Sequence, residues 1–167
     1  MYSQIESSQR GIPQLDGKGP VTDPDIRWMQ RYSNFESAFL LLSQALKIKS
    51  PSVVERAGLI QFFEMAFELS WKIMKDYERS EGVTAKTPRE ALKKAFQIGL
   101  ITEGHTWLDA LDDRNLTSHP YKEDVAQAIE NRIRERYYSA IAALYETLKV
   151  KKETAEKEAA EKEATGA

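Results

Sequence analysis

ERAGLIQFFEMAFELSWKIMKDY, residues 55–77, decides the fold class. Leu59, Ile60, Phe62, Phe63, Met65, Phe67, Leu69, Trp71, Ile73, Met74 and Tyr77 leave hardly any side of a helix polar. A helix apolar on most sides must be covered by several neighbours or by a second chain. No stretch alternates apolar and polar residues at period two with β-branched enrichment, so no sheet is expected.

The flanking segments supply the neighbours. Trp28, Tyr32, Phe35, Phe39, Leu42 and Leu46 recur at spacings of three and four and predict a one-sided helix over about 24–48. Further helices are predicted over 88–98, 104–118 and from about 121 through 148, the last carrying Val125, Ile129, Ile133, Tyr137, Ile141, Leu144 and Leu148. Prolines fall between these runs. Asp23-Pro24, Ser50-Pro51 and Thr87-Pro88 each place a capping residue before a proline suited to a first helical turn. Ser52 with Glu55 and Thr87 with Glu90 read as capping boxes. Gly82 and Gly99 stand where helices end. The short connections imply an all-α, up-and-down antiparallel bundle of about five helices.

The 167 residues suit one domain. Residues 1–22 hold scattered Gly and Pro with no apolar period and are expected to form a flexible arm. The bundle is expected over 23–150, and 151–167 is a charged, low-complexity tail, helical or disordered. There is no cysteine, which excludes disulfides, a thiol nucleophile and thiolate metal sites, and which suits a cytoplasmic location. No apolar run approaches a membrane span, and the first residues have no signal-peptide character. With only His105 and His119 as imidazoles, no His-rich metal cluster is possible and no cofactor is expected. Net charge is −2, so any field that attracts a nucleic acid must be local.

The chemistry concentrates in DDRNLTSHPY, residues 112–121. Arg114 and His119 are five apart, which on one continuous helix would point them ~140° apart. Pro120 biases His119 out of helical geometry. Arg114 then sits in the last turn of a helix, with His119 and Tyr121 on the turn beyond. An arginine can grip phosphate oxygens bidentately and a histidine can shuttle a proton near neutral pH. For RNA the 2′-hydroxyl would be the internal nucleophile. On spacing alone, the same residues equally suit a polar turn that complements a helix dipole, with Tyr121 packing at the next helix start. In the apolar helix, Gln61, Glu64, Glu68, Lys72 and Lys75 form a polar stripe. It is either an exposed strip or a place where one carboxylate, Glu64 or Glu68, turns inward to meet a cation such as Arg114.

RNLTSHPY resembles the R-x-x-x-x-H-x-Y motif of HEPN-fold proteins, most closely the HepT-type and nucleotidyltransferase substrate-binding subfamily. RWMQRYSNFESAFLLL (27–42), residues 55–77, TPREALKKAFQIGLI (87–101) and the motif resemble that subfamily's blocks in order, over about residues 25–148. The resemblance implies a HEPN-like bundle with a four-helix core that forms a homodimer with two motifs facing one cleft. It implies a metal-independent ribonuclease toxin acting on RNA, paired with an MNT-type nucleotidyltransferase antitoxin that binds it and transfers AMP to the motif tyrosine. Carried over, Arg114 would bind phosphate, His119 would be the acid/base, Asn115 would help position them, and Tyr121 would accept AMP; from the α2 stripe itself, Glu64 and Glu68 are expected to support the site. As the alternative, the resemblance admits a non-catalytic substrate-binding subunit of the nucleotidyltransferase.

Overall fold

The computed structural model describes residues 24–117 and 122–166. The arm over 1–22 and the capping role of Asp23 lie outside the described residues. Six α-helices follow in order: α1 (Pro24–Ala45), α2 (Val53–Ser80), α3 (Pro88–Gln97), α4 (Gly104–Leu116), α5 (Glu123–Arg132) and α6 (Tyr138–Ala164). A π-helical turn, Ile133–Tyr137, joins α5 to α6 without a break. The described residues contain no strand, as expected.

α2 is central and touches all five other helices. This is why its sequence is apolar on most sides. Leu59, Phe63, Ala66, Phe67, Ile73 and Met74 are almost wholly buried. α1 runs antiparallel to it. Trp28 meets Tyr77 edge-on with ring centroids 5.5 Å apart, and Arg31 Nε donates to Asp76 Oδ2 at 2.6 Å. α6 returns along α1, where Tyr145 stacks on Phe39 and Tyr32 and Tyr138 stacks on Phe39. The α1 stripe from Trp28 to Leu42 is buried as its spacing indicates.

The helix ends follow local chemistry. Ser52 caps α2 in a complete capping box. Its hydroxyl accepts from Glu55 N–H at 3.2 Å, and the Glu55 carboxylate accepts from Ser52 N–H at 2.7 Å. The expectation that Ser50 caps a helix beginning at Pro51 is corrected, because Pro51 precedes the cap and the hydroxyl that meets the free N–H groups belongs to Ser52. Thr87 caps α3 with Pro88 at its first turn, but Glu90 accepts from Lys86 N–H instead of closing a box on Thr87. Gly82 and Gly99 adopt φ of 77° and 75°, which residues with a Cβ rarely do. Each follows a helix, and the backbone bonds Val83 N–H to Glu78 O and Leu100 N–H to Ala95 O close the ends.

One continuous α-helix from 121 through 148 was expected; the π turn corrects this. Ile129, Ile133, Tyr137 and Ile141 are spaced by four three times over. On a regular α-helix they would drift by ~120°. All four are buried in one core. A wider turn absorbs the drift and keeps them on one face. Beyond the bundle, α6 continues through Ala164 as an exposed helix. Among the described residues no helix is long and apolar enough to cross a membrane.

Candidate functional site

α4 ends where the motif begins. Thr117 N–H bonds Asp113 O, and Thr117 Oγ1 donates to Arg114 O at 2.7 Å, which closes the last turn around Arg114. His119 and Tyr121, together with Ser118 and Pro120, lie outside the described residues. The site is therefore built here from Arg114, Asn115 and the residues of α2 and α5 around them.

Arg114 is about one-third exposed. Its Nη2 lies 3.8 Å from Glu68 Oε2. Its Nε is buried and has no hydrogen-bond partner. Glu68 is the carboxylate of the α2 stripe that turns toward this cation. It also accepts from Trp71 Nε1 at 2.9 Å and from Lys72 Nζ at 3.0 Å. Partial burial pushes the Glu68 carboxyl up. The hydrogen bonds from Trp71 and Lys72, with the charges of Lys72 and Arg114, outweigh that and hold it below its ordinary value. Glu64, one turn earlier, is half-buried and faces a different space. It lines a cleft of about 460 Å³ with Arg56, Ile60, Leu116, Thr117 and Lys122. Asn115 is exposed beside Arg114 in sequence.

The residue before the arginine is fixed far more tightly. Asp113 is buried and accepts three hydrogen bonds. Arg132 Nε reaches Oδ2 at 2.5 Å, Arg132 Nη2 reaches Oδ1 at 2.9 Å, and the Tyr137 hydroxyl reaches Oδ2 at 2.6 Å. Burial and then the bond to Asp113 push the Tyr137 hydroxyl well above its ordinary value, so it stays a donor. The bond to Asp113 likewise raises the Arg132 guanidinium. Tyr137 closes the π turn. The turn thus ties the end of α4 to α5 and α6. Sequence reading missed this tie, since Asp113 had no visible partner and Tyr137 looked like plain core.

The other arginines of this helix are also engaged. Arg134 bonds Glu130 and the carbonyls of Leu46 and Ile48, and Arg136 bonds Asp109. Arg56 crosses from α2 to Glu130 at 2.6 Å and pairs with Glu123. None of these guanidiniums is without an acidic partner; among the described residues Arg114 is held only by the long contact to Glu68. No cluster of three or more acidic or imidazole groups among the described residues is placed to hold a metal ion. His105 is exposed on the first turn of α4, away from this site, beside a second cavity of about 660 Å³ that Phe96 and Leu108 also line.

Comparison with known proteins fixes the family. Residues 30–150 match the family model described as nucleotidyltransferase substrate binding protein like. The chain belongs to this family. Within it the chain is of the HepT type, with the HEPN fold. It is 37% identical over 87 residues to a Haemophilus influenzae protein named probable ribonuclease HepT; the match covers 47% of this chain and spans only 60% of that relative. A Haemophilus influenzae structure, described as revealing the fold of a substrate binding domain of a nucleotidyltransferase, is 30% identical with a TM-score of 0.61, covering 71% of this chain and 98% of that one. A tri-AMPylated Shewanella oneidensis HEPN toxin in complex with its MNT antitoxin shares the fold, with a TM-score of 0.61 over 74% of this chain and 96% of that one, at 14% identity.

Proposed function

We propose that this HepT-type chain is the ribonuclease toxin of a toxin–antitoxin pair and cleaves RNA through Arg114 and His119. The observation that carries the reading is the state of Arg114. Its guanidinium is aimed by a fixed backbone, held by one carboxylate at 3.8 Å, and keeps a buried Nε without a partner. A buried donor in that state favours an incoming acceptor, and a phosphate offers a planar pair of oxygens that matches the fork.

In the proposed reaction the 2′-oxygen attacks the adjacent phosphorus and loses its proton to His119. The bond to the 5′-oxygen breaks, and that oxygen is protonated as it leaves, the proton His119 took up being passed on through solvent so that the imidazole returns to its neutral form. The products are a cyclic 2′,3′-phosphate and a 5′-hydroxyl. Arg114 offsets the charge that builds on the phosphoryl oxygens, and Asn115 helps orient the phosphate. None of these steps calls on a metal ion, so cleavage is expected to survive EDTA.

The partner in this proposal is an MNT-type nucleotidyltransferase. It would transfer AMP from ATP to the Tyr121 hydroxyl and release pyrophosphate. The added phosphodiester would then compete with RNA for Arg114. A homodimer is proposed on the face where Val53, Val54, Leu116 and Val125 are exposed around the cleft. A monomeric mass by light scattering at micromolar concentration would remove that part.

The relatives' descriptions also favour a second reading, a non-catalytic subunit that binds substrate for the nucleotidyltransferase. RNA cleavage by the purified protein decides between them. Arg114→Lys is expected to lower kcat at least ~100-fold, because an ammonium cannot reproduce the two-donor fork. His119→Ala is expected to abolish both cleavage and growth arrest on expression. Full cleavage by Arg114→Lys would refute the ribonuclease mechanism.

A further inference from the structure

The polar stripe of α2 places an aromatic ring beside Arg114. Trp71 is half-buried, while the other two tryptophans, Trp28 and Trp107, are 4% and 2% exposed. Its indole N–H is tied to Glu68 Oε2, the same oxygen that faces Arg114. Lys72 Nζ bonds the other oxygen of Glu68 and lies 5.8 Å from the centre of the Trp71 ring. Two cations and the N–H edge of one indole ring therefore surround a single carboxylate. Side chains 40% and 35% exposed carry the two positive charges, so both can be reached from solvent.

Single-stranded nucleic acid is bound by this combination: cations track the backbone and an aromatic face stacks a base. Glu68 does not cancel it, because Lys72 and Arg114 together outnumber it. Its structural effect is to fix the indole ring by its N–H, so that little side-chain freedom is lost when a base stacks. Trp71 keeps exposed area next to an arginine whose acidic partner is 3.8 Å away.

We propose that Trp71 and Lys72 form a nucleotide subsite beside Arg114, in which Trp71 stacks the base of a nucleotide next to the phosphate held by Arg114 and Lys72 contacts the neighbouring phosphate. This rests on the ribonuclease reading and specifies its substrate as single-stranded RNA. Trp71 acts here as a binding and specificity residue. The stacking is sequence-tolerant, because every base has a face to offer.

The test uses the full-length protein and a fluorescein-labelled 2′-O-methyl oligouridylate of about eight nucleotides, which fits the site sizes of such surfaces and resists cleavage. Binding is read by anisotropy and, with unlabelled oligonucleotide, by tryptophan emission. Trp71 is expected to be quenched on binding while the buried Trp28 and Trp107 are not, so the quench disappears in Trp71→Phe. Trp71→Ala is expected to weaken binding about tenfold, with Trp71→Phe recovering most of the loss. Lys72→Gln is expected to reduce the slope of log affinity against log salt by about 0.7. Thermal melts of each variant separate lost binding from lost folding. RNA cleavage is measured alongside. If wild type cleaves RNA but binds without quench, and Trp71→Ala binds as tightly, the subsite is wrong and the ribonuclease reading stands. If wild type neither cleaves nor binds, both fall. If the wild-type dimer buries Trp71 against its second copy, shown by resistance to acrylamide quenching, the ring is an interface residue and the subsite is overturned.

Discussion

Asp113 and Glu78 are both buried helical carboxylates, and their surroundings are opposite. Asp113, in the last turn of α4, receives three donors from Arg132 and Tyr137. Glu78, near the end of α2, is wholly buried, and neither of its oxygens has a hydrogen-bond partner. The cost of burying a charge is met at one end of the molecule and not at the other. Desolvation pushes the Glu78 carboxyl up to about 7. The charge of Lys94 pulls it back only in part, as does the Ala95 N–H, which falls short of a proper hydrogen bond; Glu90 adds to the upward push. The satisfied carboxylate lies beside the proposed catalytic arginine. A helix end that must aim a guanidinium needs a fixed backbone, whereas the corner between α2 and α3 carries no such demand.

The largest effect is expected from breaking the satisfied end. Asp113→Ala strands Arg132 and the buried Tyr137 hydroxyl and should cost about 3 kcal/mol. Urea unfolding measures it. Arg132 is 38% exposed and can turn to water, so the loss should fall below that of a fully buried pair. Asp113→Asn keeps one acceptor and should lose about half as much. Both variants should lose RNA cleavage beyond their loss of stability, since they free the turn that aims Arg114. Unchanged stability in Asp113→Ala would mean that the network does not hold the turn.

The unsatisfied end should respond in the opposite direction. Folding raises the Glu78 carboxyl from its ordinary 4.5 to about 7, so between those values the folded chain holds a proton that the unfolded chain has released. Stability should therefore fall as pH rises from 4.5 to 7 and level off above. Glu78→Gln removes the ionisation and should stabilise the protein by about 2 kcal/mol at pH 8, with no gain near pH 4.5. Denaturant midpoints across that range check both sign and window. A variant less stable than wild type at pH 8 would show that the buried carboxylate has a partner after all.

The sequence was informative about burial and poor about pairing. The α1 stripe, the all-round apolar character of α2, the Ser52 box and the two helix-ending glycines follow from local spacing, and local spacing suffices because each depends on residues within a few positions. That a carboxylate of the α2 stripe meets Arg114 was legible as one of two readings, but helical phase could not choose Glu68 over Glu64, because residues four apart share nearly one face. The Asp113 network was not legible. Its partners lie 19 and 24 residues away, and nothing in the phase of α4 announces a buried acid. The π turn was half legible, in the three successive spacings of four from Ile129 to Ile141. Glu78 gave no warning, because a glutamate in a helix reads as surface until its neighbours are known.

The smallest effect tests what little compensation Glu78 receives. Lys94 Nζ bonds Glu90 at 2.8 Å and the Thr84 carbonyl, and its charge is the strongest influence holding the Glu78 carboxyl down. Lys94→Met removes that charge with a similar stem length. The carboxyl should then titrate at a higher pH, shifting the fall in stability toward higher pH. The direct cost should stay under about 1 kcal/mol, because the side chain is partly exposed and its pair with Glu90 is a surface helix pair. Lost bonds to Thr84 and Glu90 also destabilise the variant, but they act at every pH above the Glu90 titration. A Glu78→Gln background separates the two contributions. There Lys94→Met should keep its pH-independent cost and lose the shift entirely, since no carboxyl remains at position 78 to feel the charge. If the shift persists in the double variant, another group titrates across this range, and the contrast between Glu78 and Asp113 is not what sets the pH dependence of the fold.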